Sequence, residues 1–179
     1  MSYVYNQERP EDSLCCSPVT NSGSDHVWRT YWYKDHQEME ALKEWCDKLD
    51  DGKKSVVYGK LSHLLQRATK GTLKPKKDNE INHELDIVDT QPELFEVRQQ
   101  WQKGIYYRQY HSEIIKDGIG YLVVCHAHLK ETDKKSKEQI RDEQNKSMKQ
   151  AGMRHNSGKK KFPEITEDES PEKYLFNTN

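Results

Sequence analysis

The sequence predicts an α+β fold: a small antiparallel sheet with an N-terminal helical hairpin and a C-terminal helix, in the order β-α-α-β-β-β-α. Three observations predict it. Two stretches with apolar residues at helical spacing flank "DDG" at 50–52, a link short enough to fold one helix back on the other. Three aromatic and β-branched runs follow between 93 and 129, separated by short turns at Lys103–Gly104 and Lys116–Gly118, as in an antiparallel meander. A charged stretch of helical character then begins after "KETDKKS". With 33% charged and 32% hydrophobic residues, the 179-residue chain is too polar to pack wholly around one core. A domain over 26–150 with disordered ends fits that composition.

Taken in order, residues 1–25 are rich in Ser, Asn, Asp and Pro without apolar period and read as a disordered arm. "HVWRTYWYK" (26–34) suits a first strand. Asp35 can cap a helix whose apolar residues are Met39, Leu42, Trp45 and Leu49. Val56, Val57, Leu61, Leu64, Leu65 and Ala68 form the broad stripe of the second helix. Residues 70–91 are a long polar connection, a kind of loop that often carries function. "ELFEVRQQW" (93–101), "IYYRQYHSE" (105–113) and 120–129 are the meander strands, and a helix from about Lys135 to Gln150 closes an edge of the sheet. Residues 151–179, basic in "RHNSGKKKF" and acidic in "EITEDESPE", read as a disordered tail.

Charge is segregated along the chain. Every charged residue from 53 to 77 is basic: Lys53, Lys54, Lys60, Arg67, Lys70, Lys74, Lys76 and Lys77. Glu164, Glu167, Asp168, Glu169 and Glu172 make the tail acidic, an anionic segment able to compete with a nucleic acid for a cationic face. No apolar run approaches ~18 residues, which excludes a membrane span, and the first residues lack the basic and apolar regions of a secretory signal. Cys15, Cys16, Cys46 and Cys125 read as reduced thiols of a cytoplasmic protein.

Candidate chemistry sits in the meander. Strands show alternate residues on opposite faces. In 121–130 the odd positions Tyr121, Val123, Cys125, Ala127 and Leu129 are largely apolar and should lie against the helices. The even positions change from Leu122 and Val124 to His126, His128 and Lys130, apolar at one end and cationic at the other. A turn centred on Lys103 sets Arg98 opposite Arg108. Like charges across an antiparallel pair repel, and a phosphate between two guanidinium groups relieves that. Glu96 or Glu113 could instead neutralise one of them, and the histidines could be ordinary surface or core-edge groups. A zinc site at Cys125, His126 and His128 is disfavoured because Cys125 should point away from the histidines. There is no Gly-rich phosphate loop or nucleophile elbow.

The ordered set "ELFEVR", "YYRQYHSEI" and "GYLVVCHAHLKETDKKSKEQI" resembles the RelE/HigB superfamily of toxin–antitoxin toxins, in its phage-derived HigB-like branch. Leu94, Glu96, Val97 and Arg98 match that branch's first element. Tyr107, Arg108, Tyr110 and His111 match the second. His126, Ala127, Lys130, Thr132 and Lys134 match the third, and the helix from Glu138 the fourth. Glu131 and His128 depart from it, standing where a second lysine and an aromatic are usual. The resemblance implies a ribosome-associated endoribonuclease that cuts mRNA by 2′-OH attack, without metal or cofactor, and is held by a cognate antitoxin. Arg98 and Arg108 would stabilise the phosphorane, His126 and His128 would move protons, and Lys130 would add positive potential. Tyr107 or Tyr110 would stack on a base, and the 53–77 stretch would hold RNA backbone. A non-catalytic RNA- or protein-binding relative and a ParE-like gyrase poison are the alternatives.

Overall fold

Asp50 marks where one helix stops and the next begins: its side chain accepts a hydrogen bond from Lys53 N at 2.9 Å, an N-cap at the "DDG" break. A computed structural model describes residues 9–17, 25–31, 37–77, 82–91, 93–159, 166–167 and 170–176. Its elements are β1 (Val27–Tyr31), α1 (Gln37–Asp47), α2 (Asp51–Thr69), β2 (Leu85–Ile87), β3 (Phe95–Gln102), β4 (Ile105–Lys116), β5 (Ile119–Glu131), α3 (Lys137–Gly158), β6 (Thr166–Glu167) and α4 (Pro171–Phe176), with short 3-10 turns at Pro10–Asp12 and Leu14–Cys16. The fold is α+β. The sheet order is β2-β3-β4-β5-β1-β6, antiparallel except where β1 runs parallel to β5. No described helix is long and apolar enough to cross a membrane.

One sheet face carries the main core. Met39, Leu42 and Cys46 of α1 and Val57, Leu61, Leu64, Leu65 and Ala68 of α2 pack with Phe95, Val97, Trp101, Tyr107, Leu122, Val124 and Ala127. Val56, placed on the apolar stripe by periodicity, is 56% exposed. The turn of the first hairpin falls at Lys103–Gly104, with Gly104 at φ +70, and Arg98 is the register partner of Arg108 as the sequence predicts. In the second, Asp117 (φ +53) and Gly118 (φ +77) take the left-handed conformation that matches strand twist.

The parity reading of β5 is overturned by a bulge. The register passes from Tyr110↔His126 to His111↔Val124, which leaves Cys125 as an extra residue. Before it, Leu122 and Val124 face the main core; after it, Ala127 does. Cys125 joins Tyr110, Val88, Leu94 and Ala151 in a second cluster. The even positions therefore cross from one face to the other, and Cys125 lies with the following residues rather than opposite them.

The ends also depart from expectation. Ser13 and Cys15 are fully buried, so the arm reaches into the core from residue 13. α3 is capped by a reciprocal Ser136–Gln139 box and continues to Gly158, eight residues beyond Gln150. It packs on the second face of the sheet, rather than closing an edge, through Met148, Ala151 and Arg154. Gly152 lies against the Gln91 side chain of the loop before β3, whose Oε1 a Cβ there would meet at 2.2 Å. α4 buries Leu175 in the main core beside α1 and α2. Glu164, Asp168 and Glu169 lie outside the described residues.

Candidate functional site

The strand register arranges the second face into rows of side chains. Asp86, Glu96, Tyr110 and His126 form one row, Arg98, Arg108 and His128 the next, and Gln100, Tyr106 and Lys130 the third. α3 covers the first row. The other two border a groove of about 510 Å³ whose lining includes Asn82, His83, Arg98, Tyr106, Arg108 and Lys130.

Each cation is held differently. Arg108 is buried and forms a short hydrogen-bonded ion pair with Glu96, so the local neutralisation weighed from sequence falls to Glu96. Glu113 is on the other face, where it accepts from Ser13 Oγ and Leu14 N. Arg98 donates from Nε to His83 O at 3.2 Å and meets His83 Nδ1 at 2.7 Å. Lys130 Nζ donates to Gln144 Oε1 of α3 at 3.1 Å. At the rim Lys76 pairs with Asp86 at 2.9 Å.

Electrostatics follow from this crowding. Burial and then the neighbouring Arg108 push both Arg98 and Lys130 below their ordinary pKa values. Burial raises Glu96, opposed by Arg108 and Arg98. His128 is pushed down to about 3 by burial, with His126, Arg108 and Lys130 adding to the effect, so its imidazole is neutral at any physiological pH. The face is short of negative charge, and an anion entering the groove would be attracted by every cation lining it.

The predicted residues are thus only partly brought together. Arg98, Arg108 and Lys130 share the groove, with His128 next to Arg108 across the β4–β5 pair. His126 is 4% exposed, behind Arg154, whose Nη1 lies 3.2 Å from both His126 Nδ1 and Cys125 O; Arg154 Nη2 donates to Glu38 at 2.8 Å. It is a packing histidine, stacked at 6.0 Å on Tyr110, and not a surface proton carrier. Tyr107 is buried in the main core against Trp101, with ring centroids 4.8 Å apart, and Tyr110 is buried beneath α3. Neither can stack on an RNA base. Tyr106 lines the groove instead, and its even parity with Arg108 on β4 was the signal that could have found it. His83, in a loop without period, gave no such signal.

The basic stretch is not one surface. Lys53 pairs with Asp50 at 2.8 Å, Lys54 with Asp47 at 3.1 Å and Arg67 with Glu84 at 2.5 Å. Lys60 donates to the carbonyls of Gln100 and Trp101. Lys70, Lys74 and Lys77 are exposed beyond α2. Acids from just before the stretch, and Glu84 from after it, sit beside these cations and cancel part of their field. No protein-family model, curated protein or solved structure matches this chain.

Proposed function

We propose that this chain is a toxin of the RelE/HigB type, a ribosome-associated endoribonuclease that receives the scissile phosphate of an mRNA in the Arg98/Arg108/Lys130 groove. The observation that carries the reading is the facing pair Arg98 and Arg108, with Lys130 one row away, around one open groove. Two guanidinium groups side by side repel, and a phosphodiester between them converts that repulsion into attraction. The bound RNA supplies its own nucleophile, the 2′-OH. Its oxygen attacks the adjacent phosphorus, its proton passes to His128, and the bond to the 5′-oxygen breaks as Lys130 donates a proton to it. A 2′,3′-cyclic phosphate and a 5′-OH result. The depressed pKa of Lys130 makes its ammonium a better acid. His128 is neutral at physiological pH, so its imidazole has a lone pair free to take that proton. Tyr106, which lines the groove, would stack on a flanking base. No step calls on a metal or cofactor.

The test is mapping of RNA 5′ ends in a translation extract. Arg98→Ala and Lys130→Ala should each lower cleavage by about 10²–10³, and Lys54→Ala, distant on α2, should not. Equal cleavage by all four proteins would remove the groove from the chemistry. A second reading, an RNA-binding relative without catalysis, is favoured by the burial of His126. Wild-type protein that binds RNA through Arg98 yet leaves it uncut would establish that reading.

A further inference from the structure

On the face opposite the groove, three ligand-type atoms converge inside the core. Cys15 Sγ lies 3.5 Å from His111 Nε2, and Nε2 lies 3.2 Å from Glu113 Oε1. All three donor atoms fall within 4.8 Å of one another, and all three residues are buried. Strand alternation sets His111 and Glu113 on one face of β4. The 3-10 turn Leu14–Cys16 lowers Cys15 onto them, and Leu73 N holds Cys15 O at 2.9 Å. We propose that Cys15, His111 and Glu113 bind a zinc ion that fastens the N-terminal segment to the sheet.

Two of the three donor separations are those of a coordination shell. Zinc bonds of ~2.3 Å to sulfur and ~2.0 Å to nitrogen or oxygen, at tetrahedral angles, separate S and N by about 3.5 Å and N and O by about 3.3 Å. The observed 3.5 and 3.2 Å agree with those edges. Without a metal, a single Nε2–H would have to be shared between the weakly accepting Cys15 sulfur and Glu113 Oε1. A cation between the three atoms takes a lone pair from each.

The surroundings orient the donors. Ser13 Oγ donates to Glu113 Oε1 at 2.5 Å and Leu14 N donates to Oε2 at 2.8 Å, which fixes the carboxylate. The His111 ring is set between Trp28, edge-on at 5.3 Å, and Phe95, stacked at 5.8 Å. Thiolate, imidazole and carboxylate together suit zinc rather than magnesium or calcium. The site belongs to folding, not to the groove's reaction, and stands or falls independently of the function proposed above.

Cobalt titration of the reduced, metal-free full chain tests it. Wild type should take up about one Co²⁺ per chain with a thiolate-to-metal charge-transfer band and the intense visible bands of a tetrahedral site, and Zn²⁺ should erase both. Cys125→Ser should keep the charge-transfer band and Cys15→Ser should lose it. Should Cys15→Ser fail to fold, the wild-type titration still decides. Wild type without a charge-transfer band, or a band that survives Cys15→Ser, overturns the proposal and leaves a hydrogen-bonded core cluster.

Discussion

In the proposed reaction Arg108 would hold phosphate in the groove, and it is also the ion-pair partner of the buried Glu96. The two roles make its mutants ambiguous. Arg108→Ala strands a buried carboxylate, a defect worth about 3–5 kcal/mol, so it should lower the urea midpoint sharply whatever it does to RNA. Adding Glu96→Gln should recover most of that stability and none of the RNA affinity. A double variant that stays as unstable as the single would show that Glu96 is not the cause. Arg98 is partly buried and bonded to His83, and it does not neutralise a buried carboxylate as Arg108 does, so Arg98→Ala should cost affinity for RNA with a smaller change in midpoint than Arg108→Ala. His128 offers a pH test at the same scale. Unfolded, it titrates near 6.5; folded, at about 3. The native state therefore binds fewer protons than the unfolded state between those values. The stability this represents is present above pH ~6.5 and is lost as pH falls toward 3, on the order of 3–5 kcal/mol over the whole window. His128→Gln should flatten the wild-type decline in melting temperature between pH 7 and 4. Parallel declines for the two proteins would contradict the placement of a neutral imidazole beside Arg108.

Among the elements, what could be read from the sequence is what local chemistry determines. The "DDG" break, the three meander strands and the Lys103 turn are local signals, and the Arg98–Arg108 register followed from the turn by counting. The bulge at Cys125 was not legible. It depends on how β4 and β5 settle against layers on both sides, and no residue in "VVCHAH" requires it. Its consequence was large, because it sent His126 beneath α3 while Leu122 and Val124 stayed with the main core. The last two turns of α3 were hidden for a related reason. "AGMRHNSG" buries small and charged groups rather than an apolar stripe, so periodicity passes over it. Arg154 supplies the missing logic by tying Cys125 O and Glu38 to the helix. Arg154→Ala should cost about 1–3 kcal/mol in urea denaturation, since charge-assisted hydrogen bonds of a buried group are lost and Glu38 is only partly solvated. A loss within error of zero would mean that α3 is held without Arg154, by Met148 and Ala151 and by its other polar ties to the body.

For the whole molecule, Lys53, Lys54, Arg67 and Lys76 of the basic stretch pair with acids, and α4 of the acidic tail lies away from the groove. α4 lies against α1 and α2, and Leu175 shares a cluster with Val97, Tyr107 and Ala127, the residues that alternate with the groove-lining set on the opposite face of the sheet. Phe176 meets Tyr58 edge-on at 5.2 Å. Of the acids to which the sequence gives a competition with RNA, Glu172 is engaged elsewhere, largely buried and with its carboxyl pushed up by that burial. Removing residues 170–179 should act on stability, not on binding. Losing the Leu175 side chain alone costs about 2–5 kcal/mol where it is fully buried, and the truncated protein loses Phe176 as well. RNA affinity at low salt, measured at a temperature where both proteins are folded, should be unchanged. The groove's three cations set the salt dependence: about 0.7 counterion released per single-strand phosphate contact gives a slope of roughly −2 in log K against log salt. Full-length and truncated chains should share that slope, and Lys130→Ala should reduce it by about 0.7. Tighter binding by the truncated protein that vanishes as salt is added would instead return the tail to the cationic face.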